Sequence, residues 1–234
     1  MKKVLIIVPV KDKPMAECVK ALEMQDYFNY EILMNHREPT HISENKLINS
    51  VMNDMLSRNE LREKALKYDA EYFWMVDDDV VPPQKALTNL MLQMGEKSTT
   101  IDFPMPNGTI IPKGTKNPEK FIIGGWYPVR YSNNHLWVCG NWIADNIFCL
   151  LEKPEPSLIR VDVIGLGCCL VKREVLEKVV MTEKECLKTL KNKFGEDIIG
   201  GVCEAFCNIA NNFKYRIYAD GSVICEHLKR GVLV

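Results

Sequence analysis

At 234 residues the chain is long enough to bury one sizeable core, and a single domain is the length-based expectation. Its 30 Lys and Arg against 31 Asp and Glu leave a formal charge of -1, which gives no electrostatic footprint for nucleic acid or for an anionic membrane. An anionic ligand must therefore be held by a local site. The nine cysteines are odd in number, scattered, and sit mostly in apolar runs such as "IGLGCCLV", the usage of reduced, buried thiols in an intracellular protein. No pair of CxxC knuckles accompanies them, so core packing is expected rather than structural zinc.

The opening "MKKVLIIVPVKDKP" has an apolar run of seven residues broken by Pro9 and followed by charge. It reads as a first buried strand, Val4 to Val10, and not as a signal peptide or membrane span. Met15, Cys18, Val19 and Leu22 then fall on one face of a helix beginning near Pro14. "YEILMN" is the second strand. Leu47, Ile48, Val51, Met52 and Met55 mark the inner face of a longer helix, with Ser43 as its expected cap. The third strand, Tyr72 to Val76, runs straight into Asp77, Asp78 and Asp79. A further helix follows through Leu87, Leu90, Met91 and Met94, with Pro82 or Pro83 at its first turn.

The middle segment "PMPNGTIIPKGTKNPEK" is dense in Pro, Gly and Asn and reads as a long functional loop inside the domain, because the strand-like "FIIGGWYPVR" resumes at once. "VDVIGLGCCLV" reads as one strand leading into a short helix from Arg173. Polar helical sequence is expected over 182 to 193. A helix over "GVCEAFCNIANNF" places Val202, Phe206, Ile209 and Phe213 inward, and "KYRIYA" with "SVICEHL" forms a closing hairpin around "DG". Strands alternating with helices through the first half predict a mainly parallel central sheet flanked by helices, with a small antiparallel part near the C-terminal end.

Three adjacent carboxylates repel one another, so a positive partner is expected beside Asp77, Asp78 and Asp79. Helix capping explains them poorly, because Val80 and Val81 separate the last acid from the prolines. In an open α/β sheet, ligands bind outside the carboxyl ends of the strands, which is where these side chains are delivered. Hard oxygen donors in a row suit Mg2+ or Mn2+ carrying substrate phosphates. Val223, Cys225 and His227 share one face of a strand, which makes His227 either a satisfied core histidine or a metal ligand.

A hydrophobic strand ending in DxD, then "VVPP" and an amphipathic helix, resembles the metal site of GT-A glycosyltransferases, in particular the family-2-like inverting enzymes. The resemblance covers most of the chain. It implies a GT-A-like fold over 1-234, with residues 1-100 as the nucleotide-binding half and 101-234 as the acceptor half. It implies Mn2+ or Mg2+ held by Asp77, Asp79 and His227, and a nucleotide-diphospho-sugar donor set against Asp77 and Asp78. "VLIIVPVKDKP" is similar to the family's first strand and loop, so Pro9, Val10, Lys11 and Asp12 are expected at the nucleobase, with Asn35 after the second strand.

"EAFCNIANNFKYRIYADGSVICEHL" resembles the family's stretch from an acidic pair through "FC" to a strand ending in His. Here the sequence departs from the pattern. Glu204-Ala205 precedes Phe206-Cys207, and the sole Glu-Asp pair, Glu196-Asp197, lies earlier. An acceptor hydroxyl needs a carboxylate to take its proton, and Glu204 and Asp197 are the two candidates. Lys11, Arg130, Lys172 and Arg173 are candidate cations for the leaving diphosphate. Trp126, Tyr127, Trp137 and Trp142 are candidates for stacking on sugars or for core packing. The resemblance implies a glycan, lipid-linked or protein acceptor; the balanced charge, the short apolar runs and the cysteine usage lead to the expectation of no nucleic-acid partner, no integral membrane segment, and a cytoplasmic location or one peripheral to the inner membrane face. Alternatives are a nucleotidyltransferase, although "VPVKDKP" lacks a Gly-rich triphosphate loop, and a catalytically silent nucleotide-sugar-binding module.

Overall fold

A computed structural model of the chain describes residues 2–94, 103–104, 110–111, 120–129, 136–144, 147–152, 154, 157–192 and 196–228. Residues 105–109 and 112–119 of the expected long loop, and Arg130, lie outside the described residues. The first half runs β1 (Val4–Val10), α1 (Ala16–Glu23), β2 (Tyr30–His36), α2 (Lys46–Ala65), β3 (Tyr72–Val76), β4 (Val80–Val81) and α3 (Ala86–Met94), the alternation expected from the apolar periodicities. The cap of α2 is Asn45 and not Ser43. The Asn45 side chain accepts from the amides of Leu47 and Ile48, while the Ser43 hydroxyl accepts from the Asn45 amide one step upstream. Asn45→Ala is accordingly expected to cost about 1 kcal/mol of stability, and Ser43→Ala clearly less, measured by urea unfolding.

Beyond α3 come β5 (Phe103–Pro104), β6 (Ile110–Ile111), β7 (Ile122–Trp126), β8 (Cys139–Ala144), β9 (Ile147–Leu150), β10 (Leu158–Val161), β11 (Val163–Ile164) and β12 (Cys168–Lys172). The remaining elements are α4 (Arg173–Lys178), α5 (Glu183–Cys186), β13 (Thr189–Asn192), β14 (Asp197–Ile199), α6 (Val202–Asn212), β15 (Ile217–Ile224) and β16 (Glu226–His227). Three expectations are corrected here. "VDVIGLGCCLV" is divided among the end of β10, β11 and β12, because the turn through Gly165 and Gly167 interrupts it. The stretch from 182 is helical only over α5, after which β13 and β14 pair antiparallel. The "DG" pair makes no hairpin: Asp220 and Gly221 lie inside β15, with a register shift against β7 between Ala219 and Ile224.

The main sheet has seven strands in the order β10-β15-β7-β12-β3-β1-β2. β3, β1 and β2 are mutually parallel, as are β15 and β7, while β12 runs antiparallel to both of its neighbours. Period-two alternation sorts β1 between the two faces. Leu5 and Ile7 join α2, α4 and α6 in one buried cluster, whereas Val4, Ile6 and Val8 join α1 and α3 in the other. On α6 the inward residues are Val202, Ala205, Phe206, Cys207 and Ala210, with Phe213 exposed beyond the helix end. A second sheet, β11-β8-β9-β13-β14, packs through β11 on α6.

The registers set up the site. β3 ends at Val76 opposite the first residue of β12, Cys168, and β7 ends at Trp126 beside Ile224 of β15. The carboxyl ends of β1, β2, β3, β7 and β15 therefore share one edge of the sheet, the edge at which α/β folds of this kind bind ligands. The architecture is mixed, with a large central sheet flanked by helices and small antiparallel sheets.

Candidate active site

The three aspartates after β3 go to three different partners. Asp77 Oδ1 accepts from the Arg58 guanidinium at 2.6 Å, and Arg58 Nε also donates to Asp54 Oδ1 at 2.8 Å. The Arg58 side chain is only 8% exposed, and the two carboxylates beside it outweigh the cost of burial and hold its pKa well above the usual range. Asp78 is buried; its Oδ2 accepts from the Lys11 amide at 3.0 Å and its carbonyl from the Met15 amide at 3.1 Å, tying the loop after β1 and the start of α1 to the acids.

Asp79 is buried as well, with Oδ1 3.4 Å from His227 Nε2. β16 brings the histidine there by pairing antiparallel with β4, His227 opposite Val80, and the Leu228 amide donates to the Asp79 carbonyl at 2.9 Å. His227 Nδ1 lies 2.8 Å from the Pro128 carbonyl. A carbonyl only accepts, so Nδ1 carries a proton, and Nε2 is the ring nitrogen turned toward Asp79. The Tyr127 ring meets the imidazole edge to face at 5.4 Å, and the Tyr127 hydroxyl accepts from the Gly167 amide at 2.7 Å. A Cβ on Gly167 would lie 2.7 Å from that hydroxyl and 2.8 Å from Asp77 Oδ2, so a side chain there would force one of them away.

Among the described residues, no group of three or more His, Cys, Asp or Glu side chains is placed to hold a metal ion. The pair Asp79 and His227 nevertheless suits Mg2+ or Mn2+ in the mode where one or two protein donors are completed by substrate phosphates and water. Asp77 stands apart from that pair by its bond to Arg58.

Two cavities lie along α2. One, of about 300 Å3, lies past the ends of β1 and β2 and is lined by Val10, Lys11, Arg37, Lys46, Asn49 and Asn53 among others. Pro9 and Asn35 face one another in the β1-β2 register. Asn35 is buried, its Oδ1 taken by Lys64 and its Nδ2 3.4 Å from Glu60. Lys11 and Asp12 are exposed at the strand end. The other cavity, of about 320 Å3, holds Glu204. The two share Ser50 and Asp54.

Glu204 sits in the first turn of α6, where its Oε2 accepts from the Gly201 amide at 3.1 Å, and burial pushes its carboxyl up from the ordinary range. The structure places Asp197 elsewhere. It is exposed on β14 and paired with Lys191 at 2.8 Å. Lys172 and Arg173 also lie away from the acids, because antiparallel β12 carries them to the Tyr72 end of β3; Arg173 there donates to the carbonyls of Leu66, Tyr68 and Ala70. Trp126 is fully buried and packs edge-on against Trp137, and Tyr127 is buried, so these two serve the core. Trp142 packs against Phe148 at the rim of a separate polar groove with Arg160 and Arg216.

Arg58, Asp54, Arg37 and Lys46 join the site without having been singled out in the sequence. The spacing of Asp54 and Arg58 at i, i+4 on α2 was the legible signal.

No family model matches the chain, and no curated protein matches it in sequence. Solved structures do share the fold. The structure of A197 from STIV superposes with a TM-score of 0.53 at 18% identity, over 97% of this chain and 86% of that one. GalNAc-T7, solved with UDP, GalNAc and Mn2+, gives a TM-score of 0.51 at 12% identity, over 98% of this chain and 44% of that one. This chain thus spans less than half of the second neighbour. Likeness at such identities establishes a GT-A-like fold and nothing finer. No helix among the described residues is long and apolar enough to cross a membrane.

Proposed function

We propose that the chain is a glycosyltransferase that moves a sugar from a nucleotide-diphosphate donor to a hydroxyl acceptor with inversion. The observation that carries this reading is the meeting of Asp79 and His227 at the carboxyl end of β3, next to Asp78, which holds the amide of Lys11, a residue lining the cleft that also carries Arg37 and Lys46. In this reading Pro9, Val10, Lys11, Asp12 and Asn35 border the nucleoside, and Asp78 fixes the loop that carries Lys11. Lys11, Arg37 and Lys46 supply positive charge along the cleft. Asp79 and His227 hold Mn2+ or Mg2+, which when bound neutralises charge on the departing diphosphate. Arg58 does the same work for Asp77 permanently, so the acids need not all share one ion.

Glu204 is assigned as the base, since Asp197 is spent on Lys191 at an exposed strand. Its carboxylate takes the acceptor proton while the acceptor oxygen bonds to the anomeric carbon and the carbon's bond to the diphosphate oxygen breaks. Glu204→Gln is expected to lower transfer about 10^2- to 10^4-fold with donor binding retained. Because burial raises the Glu204 pKa, the working carboxylate is lost on acidification earlier than an ordinary glutamate would be. The acid limb of the rate profile is therefore expected above the usual carboxylate range, and absent from any residual activity of the variant.

The first test is thermal stabilisation by UDP-, GDP-, CMP- and dTDP-sugars with and without Mn2+, since a ligand that binds only the folded chain raises its apparent stability. A metal-dependent shift for one nucleotide class supports the reading. No shift with any of them at saturating concentration sinks it.

A further inference from the structure

The two cavities that meet at Ser50 and Asp54 differ in chemistry. The donor-side cleft is lined by Lys11, Arg37, Lys46, Asn49 and Asn53, a set matched to phosphate and polar groups. The cavity holding Glu204 is walled instead by Val51, Val129, Val138, Phe148, Leu150 and Val163. Among the described residues its polar side chains are Ser50, Asp54, Glu204 and the Cys203 thiol, and the thiol is already engaged by the Leu166 amide at 3.4 Å. Asp54 is likewise committed to Arg58. A volume near 320 Å3 lies within the range of small-molecule sites.

A pyranose brings a hydroxyl on nearly every ring carbon, and each one buried here would lose its water without finding a partner. A hydroxyl carried on hydrocarbon has one polar group to satisfy, and it meets the Glu204 carboxylate, one oxygen of which accepts from the Gly201 amide. From this contrast we infer that the acceptor is an apolar alcohol or phenol: its reacting hydroxyl points at Glu204, and its hydrocarbon body fills the wall of Val51, Phe148 and Leu150. The inference rests on the transfer reading above, in which the donor occupies the neighbouring cleft. It narrows the acceptor to hydroxyls borne on aliphatic or aromatic carbon, whether a compact aglycone or the end of a lipid chain.

The test uses the full chain and needs no turnover. Saturation-transfer NMR is recorded with benzyl alcohol, 1-decanol and methyl glucopyranoside, on the parent chain and on Leu150→Asn and Val51→Asn. Both replaced side chains are only half-buried, and thermal unfolding confirms that each variant is folded. Transfer to the alcohols but not to the pyranoside is expected, with affinity about tenfold weaker in both variants, the scale at which apolar pockets discriminate. A gain for decanol over benzyl alcohol identifies a lipid-type acceptor, and benzyl alcohol alone identifies a compact one. Pyranoside binding as tight as the alcohols, or alcohol binding unchanged in both variants, overturns the inference. Alcohol binding in a chain that binds no nucleotide-sugar with Mn2+ would overturn the acceptor role separately, through failure of the donor site.

Discussion

Asp79→Asn is expected to abolish Mn2+-dependent stabilisation by nucleotide-sugar and to lower transfer by roughly 10^2- to 10^3-fold, the scale for removing one preorganised charge-stabilising group. The substitution keeps the size and planarity of the side chain and leaves the Asp79 carbonyl accepting from Leu228, so β16 should stay paired with β4. What it removes is the negative charge beside His227 Nε2. The same readings on Asp78→Asn separate metal chemistry from architecture. Asp78 accepts from the Lys11 amide, so its amide variant should weaken the loop after β1, and donor affinity with it, while keeping the metal requirement. If Asp79→Asn retains the metal-dependent shift, the assignment of Asp79 and His227 as ligands is wrong.

The division of labour among the three acids resolves a conflict that the sequence poses. Adjacent carboxylates at a strand end repel, and one bound cation is the economical remedy. The chain instead builds in one cation of its own, because Arg58 reaches Asp77 from α2, and gives the Asp78 carboxylate the backbone amide of Lys11 in the loop after β1. Asp79 alone is left turned to the histidine strand. A site arranged this way holds its acids in place before any ligand arrives, which is the preorganisation that electrostatic catalysis requires.

Much of this arrangement is legible in the sequence where local periodicity is strong. "VLIIVPV" and "YFWMV" can only be buried strands, and the acids after the second of them are delivered to the strand's carboxyl end by chain direction alone. Most of the α6 face is readable for the same reason, but Phe213, expected inward, lies exposed beyond the helix end. "TLKN" carries too little apolar or β-branched pattern to declare itself, so β13 is hidden behind a polar helical stretch. "DG" is a strong turn signal in isolation, yet β15 passes through it because Ala219 and Ile224 on either side both find partners on β7. The fate of Lys172 and Arg173 depends on β12 running antiparallel, a tertiary fact with no local marker. Arg58 shows the same limit at the site itself: its helix partner Asp54 is four residues away and readable, but its bond to Asp77 exists only once α2 packs on β1 and the sheet brings the end of β3 alongside.

That bond supports the second large effect. Arg58→Met should cost about 3 kcal/mol or more of stability, because removing one member of a buried ion pair leaves the other charge uncompensated. The Asp77 side chain is about a quarter exposed, which places the loss toward the low end of the range for buried pairs. Burial of Arg58 itself is not the source of the stability, since a methionine of similar length fills its space. The loss comes from Asp77 and Asp54 facing each other without the guanidinium. The double variant Arg58→Met with Asp77→Asn is therefore expected to recover a large part of the lost stability in urea unfolding, even though it removes one more polar contact of the native chain. A double variant as unstable as the sum of the two single ones would mean that Arg58 acts through packing on α2 and that Asp77 needs no internal counter-charge.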